Sequence, residues 1–253
     1  MSAISPRVII PMAGESKRFT ASGATFPKWL LTVRNKPMIQ WVLESLDLPE
    51  DTEYVFVCQA KHTEKYAVTQ MLQRLVKSGV VLELPGVTKG AAITVQTALE
   101  HMDRTRPGYA GPILVANCDQ WIRWDPQAFL ANMDGVDAGV LTFPAVHPKW
   151  SFARVEEDWV TEVAEKQPIS PWATVGIYYY RNSQTYLTAC KSMVAQNIHT
   201  NGEYYVAPTM NEIIKAGGTV KAYPITPDQM WGLGTPEDLE EFKLAACLGR
   251  LPC

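Results

Sequence analysis

The chain has 253 residues, 47% of them hydrophobic and 19% charged, with a formal net charge of −3. That balance supports a sizeable core in one domain over residues 1–253, and it supplies no global basic field to recruit nucleic acid. No apolar run approaches the ~18–20 residues of a membrane span, and the N-terminal residues lack the pattern of a secretory signal. The five cysteines (Cys58, Cys118, Cys190, Cys247 and Cys253) form no C-x-x-C pair, so a reducing cytoplasm is the expected location.

Chain order opens on an apolar run, Arg7 to Met12, which reads as a short buried strand. The small residues Ala13-Gly14-Glu15-Ser16 then break the pattern, and the cations Lys17, Arg18 and Lys28 follow. A strand that ends in such a loop turns backbone N–H groups toward one point, which suits an anion, usually a phosphate. The same residues also read as a plain turn with a solvated basic segment. Neither G-x-G-x-x-G nor a Walker loop is present. A tight turn here is expected to hold Ser16 at negative φ, because positive φ is costly without glycine.

Periodicity predicts a helix over Met38–Leu46, a strand over Tyr54–Cys58, one helix over Lys61–Lys77 and a strand over Val80–Leu84. The loop that contains Thr88 and Gly90 enters a helix carrying Ile93, Val95, Ala98 and Leu99, and it offers backbone donors to an anion or a base edge. Ile113–Ala116 is a strand whose end carries Asp119. Ligands of open α/β sheets bind at such carboxyl ends, and Mg²⁺ takes one or two carboxylates there. An Asp capping the next segment is the other reading. Further strands are expected over Ala138–Phe143, Ser151–Val155, Trp159–Val163 and Val220–Ile225. A helix is expected over Ser183–Ala195, and a last one starts at Pro236 after a Thr235 cap. Strands alternating with helices imply an α/β fold with a mostly parallel sheet.

The segment Pro11–Arg18 with Phe26-Pro27-Lys28 resembles the L-A-A-G-x-G-[ST]-R … P-K signature of the sugar-phosphate nucleotidyltransferases. Ser16 replaces its second glycine and Lys17 its Ser or Thr. Glu165-Lys166, the strand with Gly176, Gly202-Glu203-Tyr204-Tyr205 and Trp231–Leu239 resemble later segments of the same family. The resemblance implies a single-domain, Rossmann-like (GT-A-type) mixed sheet flanked by helices. It implies an enzyme joining an NTP to a phosphorylated acceptor, most simply a sugar 1-phosphate, with release of pyrophosphate, in nucleotide-sugar and polysaccharide biosynthesis. Carried onto this chain, it makes Arg18, Lys28 and Asp119 catalytic, with Asp119 holding Mg²⁺. Nucleotide would meet Met12, Ala13, Gly14, Glu15, Ser16, Lys17, Thr88 and Gly90. Acceptor would meet Glu165, Lys166, Gly176 and Glu203.

Gly232 stands where the family commonly carries a second metal-binding aspartate, which leaves Asp119 alone or joined by Asp228. A cytidylyltransferase for an acceptor such as phosphocholine is one alternative. Trp121, Trp124, Trp150 and Trp172 are then either an aromatic wall for a cation or ordinary core. A GT-A glycosyltransferase is disfavoured, because Asn117-Cys118-Asp119 supplies one carboxylate where those enzymes carry Asp-x-Asp. Ser16 and Gly232 also leave room for a non-catalytic nucleotide-sugar sensor. A homo-oligomer is compatible with the sequence.

Overall fold

The structure is a computed structural model that describes residues 5–249 and 251, so Cys253 lies outside it. The chain begins with β1 (Arg7–Pro11), a short α1 (Lys17–Ala21) and a ribbon of β2 (Thr32–Val33) and β3 (Lys36–Pro37). Next come α2 (Met38–Leu46), β4 (Glu53–Gln59), α3 (Ala60–Tyr66), α4 (Val68–Leu75) and β5 (Ser78–Leu84). The one helix expected over 61–77 is two. Ala67 adopts φ 49° between them, and a left-handed residue ends α3 and lets α4 turn Val68 and Leu72 into the core. α5 (Ala91–Thr105), β6 (Ile113–Ala116), β7 (Gln120–Ile122) and α6 (Pro126–Asn132) follow. The remainder is β8 (Ala138–Pro144), β9 (Ser151–Glu156), β10 (Trp159–Glu165), β11 (Trp172–Tyr180), α7 (Ser183–Ala195), α8 (Thr209–Lys215), β12 (Val220–Pro224), β13 (Met230–Gly232) and α9 (Pro236–Cys247).

The main sheet has nine strands in the order β5-β4-β1-β6-β11-β8-β12-β10-β9. β10 and β11 run against the other strands, so the sheet is mixed but mostly of one direction. Helices cover both faces. The two-residue period of a strand shows in β1, where Val8 and Ile10 enter one apolar layer and Ile9 the other. A second ribbon pairs β7 with β13 in antiparallel register, Gly232 opposite Gln120. It stands where β6 ends. The loops after β1 and after β6, neighbours in parallel register, therefore open at the same edge of the sheet. Thr235 caps α9 as expected, its side chain accepting from the Asp238 N–H.

Arg7 anchors this arrangement at the far end of β1. It is 3% exposed, its Nε lies 2.6 Å from Glu53 Oε2 on β4, and its guanidinium sits 4.1 Å from the Tyr109 ring centroid. Removing one partner of a buried ion pair leaves an uncompensated charge. Glu53→Ala is therefore expected to lower stability by about 3 kcal/mol in urea unfolding. A loss below about 0.5 kcal/mol would show that Tyr109 alone satisfies the guanidinium.

Candidate active site

The loop after β1 is held from behind. Trp29 Nε1 donates to the Met12 carbonyl at 3.1 Å, and the buried Gln59 Nε2 donates to the Ala13 carbonyl at 2.6 Å. With these carbonyls engaged, Met12 to Arg18 line a cavity of about 500 Å³. Ser16 departs from expectation: it adopts φ 57°. Its carbonyl accepts from the N–H groups of Phe19 and Thr20, and its Oγ accepts from the Lys28 N–H at 2.9 Å. Those bonds offset the left-handed cost and fasten the loop to Pro27-Lys28.

Lys28 Nζ donates to Asp119 Oδ2 at 2.6 Å. Burial pulls the Lys28 ammonium down, but the Asp119 carboxylate and the neighbouring Cys118 outweigh it and hold the group above its ordinary value. Lys28 is therefore a cation at any working pH. Asp119 is positioned by the ribbon, its carbonyl accepting from Leu233 N–H at 2.8 Å. Gly234 passes so close that a Cβ there would lie 2.7 Å from Asp119 Oδ2. Asn117 is fixed similarly. Its N–H donates to the Gly176 carbonyl, and Gly176 has φ 95° with no room for a Cβ, which would meet Asn117 Nδ2 at 2.4 Å.

A second cavity of about 250 Å³ continues from the first. Arg18, Ala91, Asn117, Asp119, Tyr205 and Gly234 line both. The second cavity contains Glu165 and Lys166. Ser151 Oγ donates to Glu165, whose carboxyl burial pushes above the usual range against that bond and the nearby Lys166 charge. Lys166 Nζ donates to the Tyr205 hydroxyl at 2.5 Å and lies 4.5 Å from the centre of its ring. The loop and strap on either side of the cleft are laced together. Ala92 N–H donates to the Tyr204 carbonyl and Tyr204 N–H to the Lys89 carbonyl, with Gly90 pressed against that backbone at φ 123°.

Most of the residues singled out from the sequence meet at this cleft. Met12 to Lys17, Thr88 and Gly90 line the larger cavity, and Lys28 does as well. Three placements differ from expectation. Glu203 lines the larger cavity rather than the one that holds Lys166, because the strap ties it to the Lys89 loop. Gly176 stands behind Asn117, while Thr174, Val175 and Tyr178 of the same strand face the cavity. Asp228 stays outside, its carboxylate bound to Arg123 at 2.8 Å and to the Thr226 hydroxyl. Of the four tryptophans considered as a wall, Trp150 lines the smaller cavity, whereas Trp121 is core and Trp124 packs on Phe129. Asn117, Gln120, Lys149, Tyr178, Tyr205 and Asp238 were not singled out from the sequence, yet they line the cleft. Asn117 lies two residues before Asp119, and Tyr205 and Asp238 lie in segments that resemble the family, so these three had a local signal.

A mixed α/β sheet with two joined cavities at this edge, lined by cations and carboxylates alike, fits a nucleotide-handling enzyme of the nucleotidyltransferase type. Residues 7–245 match the nucleotidyl transferase family, and the chain belongs to it. The nucleoside-diphosphate-sugar pyrophosphorylase from Vibrio cholerae RC9 is similar at 28% identity, with 94% of this chain and 99% of that chain covered and a TM-score of 0.84. A UDP-glucose pyrophosphorylase complexed with UDP-glucose shares 17% identity, covers 97% of this chain and 100% of its own, and gives a TM-score of 0.75. The inositol-1-phosphate CTP transferase from T. maritima shares 13% identity with full coverage of both chains and a TM-score of 0.73. No match was found among curated proteins.

The loop's unusual serine is open to a direct test. Ser16→Ala keeps the left-handed backbone and loses the bond to Lys28, at an expected cost of about 1 kcal/mol. Ser16→Gly loses the same bond but removes a backbone penalty of about 1 kcal/mol, so its stability in urea is expected near wild type. Equal destabilisation of both variants would show that the positive φ costs nothing here.

Proposed function

We propose that the enzyme transfers a nucleotidyl group from an NTP to a sugar 1-phosphate and releases pyrophosphate, with the whole chain as one catalytic unit in the cytoplasm. The observation that carries this is the pair of cavities meeting at Arg18 and Asp119, one bordered by the β1 loop and the other by Glu165 and Lys166. An oxygen of the acceptor phosphate attacks the α-phosphorus. The bond from that phosphorus to the bridging oxygen of the β-phosphate breaks, and pyrophosphate leaves. A phosphate monoester is already anionic near neutral pH, so no general base is needed, and positioning with charge neutralisation carries the rate.

In this reading the β1 loop cradles the triphosphate through its N–H groups, and Arg18 holds the β- and γ-phosphates. Lys28 neutralises charge that grows on the α-phosphate, and Thr88 and Gly90 border the nucleoside. Lys166 holds the acceptor phosphate, while Glu165 accepts from acceptor hydroxyls. Among the described residues no group of three or more His, Cys, Asp or Glu is placed to hold a metal, and Asp119 gives one oxygen to Lys28. That donor set fits a hard cation carried in by the triphosphate on one protein carboxylate, and not an all-protein site. Asp119 would hold Mg²⁺, which supplies charge neutralisation on phosphate oxygens when bound.

Phosphocholine is disfavoured as acceptor by a specific feature. Lys149 Nζ lies 4.8 Å from the Trp150 ring centre and Lys166 Nζ 4.5 Å from that of Tyr205. Both aromatic faces already carry a cation, which leaves no free cage for a quaternary ammonium.

A pyrophosphate-release screen of the common NTPs against phosphorylated acceptors is the decisive experiment, and sugar 1-phosphates are expected to be turned over best. Lys28→Met and Arg18→Ala are each expected to lower kcat by at least ~10²-fold. Arg18→Ala should retain the thermal midpoint, whereas Lys28→Met should lower it because Asp119 loses its partner. Near-normal turnover in a folded Lys28→Met variant would sink the assignment. Lys166→Ala should raise KM for the acceptor more than for the NTP, since it removes binding to one substrate. The opposite split would place Lys166 on the nucleotide.

A further inference from the structure

The smaller cavity extends past the reacting centre to a group of residues that the transfer chemistry does not use. Asp238 enters it from the first turn of α9, and Lys149 and Trp150 enter from the loop before β9. Lys149 Nζ donates to Asp238 Oδ1 at 2.5 Å, which leaves Oδ2 without that partner. Gln120 lines the same space. It is 2% exposed, its Nε2 donates to the Asn117 carbonyl, and its Oε1 has no hydrogen-bond partner. A buried acceptor in that state is costly unless a ligand satisfies it. The room exists because residue 232 is glycine. A Cβ there would stand 3.1 Å from Trp150 Cη2 and 3.4 Å from Asp238 Oδ2.

We propose that Asp238, Lys149 and Gln120 form a specificity pocket that reads free hydroxyl groups on the acceptor, away from its phosphate. This rests on the nucleotidyl-transfer reading above. Asp238 Oδ2 and Gln120 Oε1 can only accept, and Lys149 Nζ can only donate. The partner that satisfies both kinds is a hydroxyl, which donates and accepts at once. A trimethylammonium offers no donor, and a further cation would meet Lys149. The acceptor class is therefore a polyhydroxylated phosphate whose hydroxyls at this end are unsubstituted. Gly232 is a requirement of that pocket, because any side chain there would fill the space beside Asp238.

The test is steady-state pyrophosphate release with the hexose 1-phosphate turned over best and with its single-deoxy analogues. Asp238→Asn is expected to raise the acceptor KM by about 10- to 100-fold, the range for a lost hydrogen bond to a charged group, with kcat and the NTP KM within about 3-fold. For at least one deoxy analogue the Asp238→Asn penalty is expected to vanish, because wild type has already lost the same contact. A penalty equal across all analogues would mark a structural role for the Lys149–Asp238 pair and overturn the proposal, as would a shift confined to the NTP. Gly232→Ala keeps all three polar groups and serves where Asp238→Asn does not fold. It is expected to raise the acceptor KM, and an unchanged value would overturn the pocket. Preferred turnover of phosphocholine would overturn this inference while leaving nucleotidyl transfer standing. Failure of every acceptor to release pyrophosphate would overturn both.

Discussion

The Lys28–Asp119 ion pair is the contact on which the cleft depends. It joins the β1 loop to the end of β6 across 91 positions of sequence, at the border of the two cavities. Both side chains are about three-quarters removed from solvent, so each alone would carry a large desolvation cost. Together they hold a cation and a carboxylate at fixed places before any substrate arrives. In the proposed function that arrangement serves as preorganisation, because charges already in position need no reorganisation during the reaction.

The rest of the site is built on close approaches that glycine permits. Gly234 makes room for Asp119, Gly176 for Asn117, and Gly90 for the Tyr204 backbone. Each glycine stands where a Cβ would strike a group that lines the cleft or ties its walls together. In the last case the consequence reaches across the site. The Lys89–Ala92 loop borders the larger cavity, and the strap that includes Tyr205 borders both, so one backbone clasp sets the spacing of the two walls.

Much of this was legible in the sequence, for reasons that differ by residue. Val8, Ile9 and Ile10 form an unbroken apolar run because β1 is buried on both faces, and such runs survive without knowledge of the partner strands. The placement of Arg18, Lys28 and Asp119 at the cleft was legible through the family signature and through Asp119's position after a strand end. Ala67 was not, since helical periodicity continues across the break that its positive φ introduces. Ser16 was misjudged because steric preference was weighed without the bond that its hydroxyl makes to Lys28 N–H. Asp238 and Lys149 lie 89 positions apart, and each has an ordinary local explanation, one as a first-turn acid and the other as a loop lysine. Only the fold brings them to one cavity.

Gly232, at the position where the family resemblance expects an acidic residue, then has two sides, and both follow from the same geometry. On the metal side, it leaves one carboxylate, already shared with Lys28, so the Mg²⁺ of the proposed function would depend on oxygens that the nucleotide brings. On the acceptor side, it opens the space between Trp150 and Asp238. A Cβ at 232 would stand 3.4 Å from Asp238 Oδ2, so an acidic side chain there would bring a second negative charge beside Asp238, and like charges in proximity repel unless one is neutralised. Asp238 at the α9 start and an acid at 232 are therefore competing solutions for the same volume. This chain has the one that leaves the space beside Asp238 open, which in the proposed function belongs to the acceptor.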